Sequence, residues 1–135
     1  MKISCLISTY NPTYENLSRC IKSINGQINQ LVIVDDCSTN GVIEKVLEKI
    51  NKSNLEITVI RNKFNLGLTS SLIKGIKFCR HDFIARIDDD DYWLPGKIKK
   101  QIDMFKKNKK LVLCGTSFET RRKVEQLTRK KIIKN

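Results

Sequence analysis

An open, mostly parallel α/β sheet with helices on both faces is the fold this 135-residue sequence predicts. Two observations carry it. Short apolar or β-branched runs recur at 3–9, 31–34, 57–60, 83–87 and 111–114, several almost continuously apolar, as in strands buried on both sides of a parallel sheet. Between these runs, apolar residues recur at helical spacing. The resulting β-α-β-α-β-α-β-α-β order calls for right-handed crossovers and places ligands at the carboxyl ends of the strands.

The first run, Ile3 to Thr9, reads as a buried strand at the natural N-terminus; it is too short for a signal peptide and lacks a small-residue cleavage site. Asn11-Pro12 suits an N-cap followed by a first-turn proline. Leu17, Cys20, Ile21 and Ile24 then form the apolar stripe of helix one. After the second strand, Ile43, Val46, Leu47 and Ile50 form the next stripe. After the third come Leu68, Leu72, Ile76 and Cys79. After the fourth, Pro95 opens a helix with Ile98, Ile102 and Phe105 inward.

Composition narrows the class. Hydrophobic content of 40% with 30% charged residues is that of a globular domain, and no apolar run reaches the roughly 18–20 residues of a membrane span. Five cysteines, odd in number and without a C-x-x-C pair, read as reduced, buried and non-catalytic, which implies a cytoplasmic setting. The single histidine, His81, rules against a histidine-based triad or metal site within the chain. The net charge of +12 is uneven: residues 97–110 carry seven Lys against one Asp, and 121–134 carry seven Lys or Arg against one Glu. Such segments are either solvated helix faces or surfaces for anionic partners, including peripheral docking on the inner face of a membrane. Nucleic acid is not expected as a partner: a polyphosphate would meet four aspartates, and no nucleic-acid motif is visible.

Three polar clusters follow strands: Ser8-Thr9-Tyr10-Asn11-Pro12, Asp35-Asp36-Cys37-Ser38 and Asp88-Asp89-Asp90-Asp91. An acidic pair at a strand end also serves as a helix cap, but three clusters on one sheet edge point to a site. The tetrad is the sharpest signal. Massed carboxylates repel unless a cation neutralises them, and all-oxygen ligands suit a hard divalent ion such as Mg²⁺ or Mn²⁺ that keeps open positions for substrate phosphates. An EF-hand is excluded, because Tyr92 and Trp93 occupy its fifth and sixth positions. A phosphate-accepting receiver domain is excluded too: the third strand ends in Ile60-Arg61-Asn62-Lys63 with no aspartate. P-loop and G-x-G-x-x-G signatures are absent.

In this order and spacing, Ile7 to Pro12, Leu31 to Ser38, Asn65 to Leu68, Phe83 to Asp91 and Gly115-Thr116 resemble family-2 glycosyltransferases of the GT-A fold over about residues 2–118. The resemblance implies a Rossmann-like nucleotide-binding half and metal-dependent transfer of a sugar, with inversion, from a nucleotide-diphosphate sugar to an acceptor hydroxyl. Surface polysaccharide or lipopolysaccharide synthesis is the family default. It implies that Ser8, Thr9 and Tyr10 lie along the nucleotide and that Asp36 faces the base. Asp88 would approach the ribose and share the metal with Asp90, the main ligand; Arg86 and Asp91 would flank them. Gly67 would let helix three start near the nucleotide. Tyr10 has core packing as its alternative role. Tyr92 and Trp93 read as packing beneath the fourth helix, with a floor for the sugar as the alternative.

The sequence departs from the family at Ile73, where an asparagine is usual, and after Glu119, where a basic, weakly amphipathic tail at 119–135 follows. No carboxylate there is placed as a general base, so that group is expected beyond Asn135. The glycan or lipid-linked acceptor is likewise unread. The chain is expected to be the nucleotide-sugar part of an enzyme with an unrelated or frame-shifted tail, the alternative being a non-catalytic module that binds a nucleoside diphosphate.

Overall fold

The computed structural model describes residues 1–50 and 55–119. Four strands, β1 (Ile3–Thr9), β2 (Gln30–Asp35), β3 (Glu56–Arg61) and β4 (Phe83–Arg86), alternate with four helices, α1 (Tyr14–Ile24), α2 (Val42–Glu48), α3 (Leu68–Ile76) and α4 (Lys97–Lys107). The strands form one all-parallel sheet in the order β3-β2-β1-β4. β1 and β2 are central, which is why they carry the nearly unbroken apolar runs.

The two faces are unequal. On one, Cys5, Ile7, Leu31 and Ile33 pack against Leu17, Cys20, Ile21 and Ile24 of α1, Ile43 and Val46 of α2, and Ile98 of α4. Phe105 adds an edge-to-face contact with Phe83, ring centroids 5.1 Å apart. On the other face, among the described residues, Leu6, Val32 and Val34 pack with Ile60 of β3 and with Leu72 and Cys79 of α3 and its C-terminal extension.

The structure corrects several expectations. The α1 N-cap is Thr13, whose hydroxyl accepts from Asn16 N–H; Asn11 and Pro12 lie before the helix. Pro95 precedes α4, which begins after Gly96 in a left-handed conformation. Half of the stripe Leu68, Leu72, Ile76, Cys79 holds: Leu72 and Cys79 pack on the sheet, but Leu68 and Ile76 are half exposed, and Ser71 and Gly75 take the buried face. Close approach explains this, since only small residues fit between α3 and the sheet. Among the described residues no fifth strand forms. At 111–114 the backbone bonds back toward α4, with Leu111 N–H to the Asn108 carbonyl and Gln101 Nε2 to the Cys114 carbonyl, 2.9 Å, leaving Val112 and Leu113 in solvent. The cysteines are free, as expected, but only Cys5 and Cys20 are fully buried. The 119–135 tail lies outside the described residues except for Glu119.

Gly75 measures how tightly α3 sits. A Cβ there would lie 2.4 Å from Leu6 Cδ1 and 2.7 Å from Val34 Cγ2, both on buried side chains. Gly75→Ala is therefore expected to lower stability by about 1–2 kcal/mol, overpacking outweighing the better helix propensity of alanine. Urea unfolding checks this; a stabilised variant would show that α3 is not clamped on Leu6.

Candidate functional site

Parallel register brings the strand ends to one edge: Thr9 pairs with Asp35, and Asp35 with Arg61. The chain leaves each strand along its neighbour, with Asp36 N–H donating to the Thr9 carbonyl, Asn62 N–H to that of Asp35 and Ile87 N–H to that of Leu6. Because β2 lies on one side of β1 and β4 on the other, successive connections diverge at β1, and the crevice beyond β1 and β4 is the topological switch point.

The acidic turn sits there. The Thr9 hydroxyl, itself buried, donates to the Asp89 carboxylate and links the end of β1 to the turn after β4. Arg86 pairs with Asp88. Arg19 of α1 donates to the Asp90 carbonyl at 2.9 Å and lies 5.4 Å from the Tyr92 ring. Asp88 and Asp89 are half-buried; Asp90 and Asp91 are exposed. Burial raises the Asp89 pKa above the ordinary carboxylate value, against the hydrogen bond from Thr9 and with the charges of Asp90 and Asp88. Asp91 is raised for the same reasons, burial first and its acidic neighbours next. Beneath the turn, burial and these four carboxylates push the Cys20 thiol up to about 12. Cys20 is therefore a protonated S–H donor toward the Asp88 carbonyl, 3.4 Å away, and not a nucleophile.

Asp36 plays a different part. Its carboxylate is buried and accepts from Asn62 Nδ2, Leu66 N–H and Gly67 N–H, each at 2.8 Å. Asn62 also donates to Ser71 and accepts from Lys74. Asp36 thus holds the loop from β3 to α3, with Gly67 at φ +81° where a side chain is strained. Burial opposes ionisation of Asp36, but these hydrogen bonds outweigh it and keep its pKa below the usual range.

Ser8 is half-buried at the end of β1, and Tyr10 is exposed at 54%, so the core reading of Tyr10 fails. Trp93 packs in the core with Lys97 4.4 Å above its ring, as expected; Tyr92 is at the surface. Thr9 is thus tied to the acidic turn that carries Asp88 and Asp90, Ser8 and Tyr10 adjoin it at the end of β1, and Asp36 turns inward. Sequence reading missed Asp89, passed over as the middle of a D-x-D, and Asn62. The signal for Asn62 was available: it follows the third strand on the same edge. Asn11, at φ +46°, staples two loops by donating to Ser38 Oγ and accepting from Thr39 N–H, both at 2.8 Å.

The described residues contain no group of three His, Cys, Asp or Glu placed to hold an ion by themselves. The donor set is nonetheless chemically suited to a hard divalent cation: an exposed carboxylate at Asp90 and a half-buried one at Asp88, amid charges whose repulsion a cation relieves. With so few protein ligands, the remaining positions would be left for phosphate oxygens and water.

The family model for glycosyl transferase family 2 matches residues 4–134. The chain belongs to this family. It is 32% identical over 118 residues to the amylovoran biosynthesis glycosyltransferase AmsE of Erwinia amylovora, and 33% over 105 residues to the putative colanic acid biosynthesis glycosyl transferase WcaA of Escherichia coli. The matches take in 84% and 73% of this chain but only 44% and 37% of those relatives. Among solved structures, S. aureus TarS 1–349 in complex with UDP superposes with TM-score 0.67 at 24% identity, over 79% of this chain and 32% of that one. A mannosyltransferase of Pyrobaculum calidifontis, in complex with GDP-Man and Mn²⁺, does so with TM-score 0.68 at 16% identity, over 77% and 32%. The fold is that of the GT-A glycosyltransferases, of which this chain spans about a third.

The charge network yields a pH prediction. Asp36 has a folded pKa below its unfolded value of about 3.9, so its stabilisation is complete above that value and is lost as pH falls through the folded pKa. Asp89 and Asp91 have raised folded pKa values, so the stability they cost at neutral pH is regained as pH falls through those values. Asp36→Asn is expected to lose about 2 kcal/mol at pH 7 and to show a shallower stability loss below about pH 4. Urea titrations at several pH values check this; an acid limb identical to wild type would contradict the role of Asp36.

Proposed function

We propose that this chain is the donor-binding part of a glycosyltransferase. It would take a nucleotide-diphosphate sugar, with a divalent cation (Mn²⁺ or Mg²⁺), for inverting transfer to a glycan or lipid-linked acceptor in surface-polysaccharide assembly. The observation that carries this reading is the Thr9–Asp89 hydrogen bond, which holds the nucleotide-side loop and the acidic turn together at the switch point. The relatives named for amylovoran and colanic acid biosynthesis support the pathway class, and the structures with UDP, and with GDP-Man and Mn²⁺, support the ligand class.

In this reading Ser8 and Thr9 line the nucleotide, and the exposed Tyr10 ring stacks beside the base. Asp36 shapes the base side through the 62–67 loop it holds. Asp88 borders the ribose, and Asp90, with Asp88, would hold the cation. When bound, that cation supplies Lewis-acid neutralisation of the charge gathering on the leaving diphosphate. Arg86 restrains Asp88, and Arg19 fixes the Asp90 backbone, so that the carboxylates are preorganised. The acceptor hydroxyl would attack the anomeric carbon as its bond to the β-phosphate oxygen breaks. The proton would leave to a base outside residues 1–119.

Calorimetry tests the reading. UDP or GDP is expected to bind with Mn²⁺ or Mg²⁺ and to lose at least about tenfold in affinity under chelator, and Asp90→Ala is expected to erase that difference. Equal affinity with and without chelator in wild type would defeat the metal assignment.

A further inference from the structure

The site accounts for neither the charge nor the exposed apolar surface at the far end of α4. Seven lysines and no arginine fall within residues 97–110, opposed only by Asp103. Lys99, Lys100, Lys106, Lys107, Lys109 and Lys110 are all exposed. Ile98, Ile102 and Phe105 take the inward face of α4, so Lys99, Lys100, Lys106 and Lys107 lie off that face, and Lys109 and Lys110 follow the helix end. Beside them lie apolar side chains that are exposed among the described residues. Met104 is 51% exposed, Leu113 81% and Val112 93%. Cys114 links the two segments: its Sγ lies 3.5 Å from Met104 Sδ, and the Gln101 amide holds its carbonyl. The 111–114 segment is thereby folded back along α4, and Lys100 and Lys107 flank Met104 at i−4 and i+3 on the same helix surface.

Lysines around exposed aliphatic side chains have the chemistry of a surface that meets an anionic bilayer. The ammonium groups reach headgroup phosphates on long flexible stems while the aliphatic groups enter the acyl boundary. A nucleic-acid surface would ask for arginine forks or stacking aromatics, and residues 97–114 offer neither at the surface, since Phe105 is spent on Phe83. No helix among the described residues is long and apolar enough to cross a membrane, so contact would be peripheral.

We propose that the α4 C-terminal half and the 109–114 segment form a docking surface for an anionic lipid bilayer, through Lys106, Lys107, Lys109, Lys110, Met104, Val112 and Leu113. Docking by this surface would set the chain against the cytoplasmic leaflet, where anionic lipids face a donor made in solution.

Vesicle sedimentation tests it, using phosphatidylcholine alone and phosphatidylcholine with about one-third phosphatidylglycerol. Wild type is expected to partition at least about tenfold more strongly onto the anionic vesicles and to be released by about 0.5 M salt. The quadruple charge reversal K106E/K107E/K109E/K110E is expected to lose about 100-fold or more in partition. Val112→Ser with Leu113→Ser, which leaves every charge in place, is expected to lose about tenfold. Both variants should bind UDP as wild type does, which shows them folded. Equal partition onto neutral and anionic vesicles would overturn the proposal. So would an unaffected V112S/L113S variant, which would reduce the patch to a polyanion surface, or tighter binding to duplex DNA than to anionic vesicles.

Discussion

Four carboxylates are held at the mouth of β4 against their own repulsion, and the site is organised around that constraint. A run of like charges left to itself would splay into solvent. Here Thr9 anchors Asp89, Arg86 pairs with Asp88, and Arg19 pins the backbone at Asp90. The restraint is incomplete, which is why burial and neighbouring charge still raise Asp89 and Asp91. A cation placed beside the turn would relieve that repulsion.

Each restraint comes from a different element: Thr9 from the central strand, Arg19 from α1, Arg86 from the edge strand itself. Their convergence depends on the parallel register that aligns the ends of β1, β2 and β3 and on the divergence of connections at β1. Asp36 extends the arrangement across the second gap, where it orders the 62–67 loop from a buried position. The two sides of the crevice are therefore built by opposite means. One side is a buried carboxylate satisfied by backbone and side-chain N–H groups; the other is a set of half-buried and exposed carboxylates that repel one another.

Much of this was legible in the sequence. Unbroken apolar runs marked β1 and β2, since both faces of a central parallel strand are covered, and helical periodicity located α1 and α4 correctly. It was half right at α3. The stripe Leu68, Leu72, Ile76, Cys79 has helical spacing, but close packing over Leu6 and Val34 turns Ser71 and Gly75 inward. It misled at 111–114, where among the described residues no strand pairs with the run and Gln101 takes the Cys114 carbonyl. For the site, the polar clusters after strands one and four contain the pair that the structure ties together, Thr9 and the 88–91 turn, and the cluster after strand two contains Asp36. Which aspartate of the tetrad faces Thr9, and that Asp36 turns inward, depend on side-chain geometry that no linear pattern carries.

The central claim is that the turn at residues 88–91 and the end of β1 form one cation–diphosphate site. Paramagnetic line broadening tests it most directly. On titrating Mn²⁺ into ¹⁵N-labelled protein saturated with UDP, amide signals of residues 88–91 should broaden first, followed by those of Ser8 to Tyr10. Signals of the cavity lined by Asp35, Ser38, Glu44 and Arg61 should persist. Broadening centred on that cavity, or spread evenly over the acidic surface, would contradict the account.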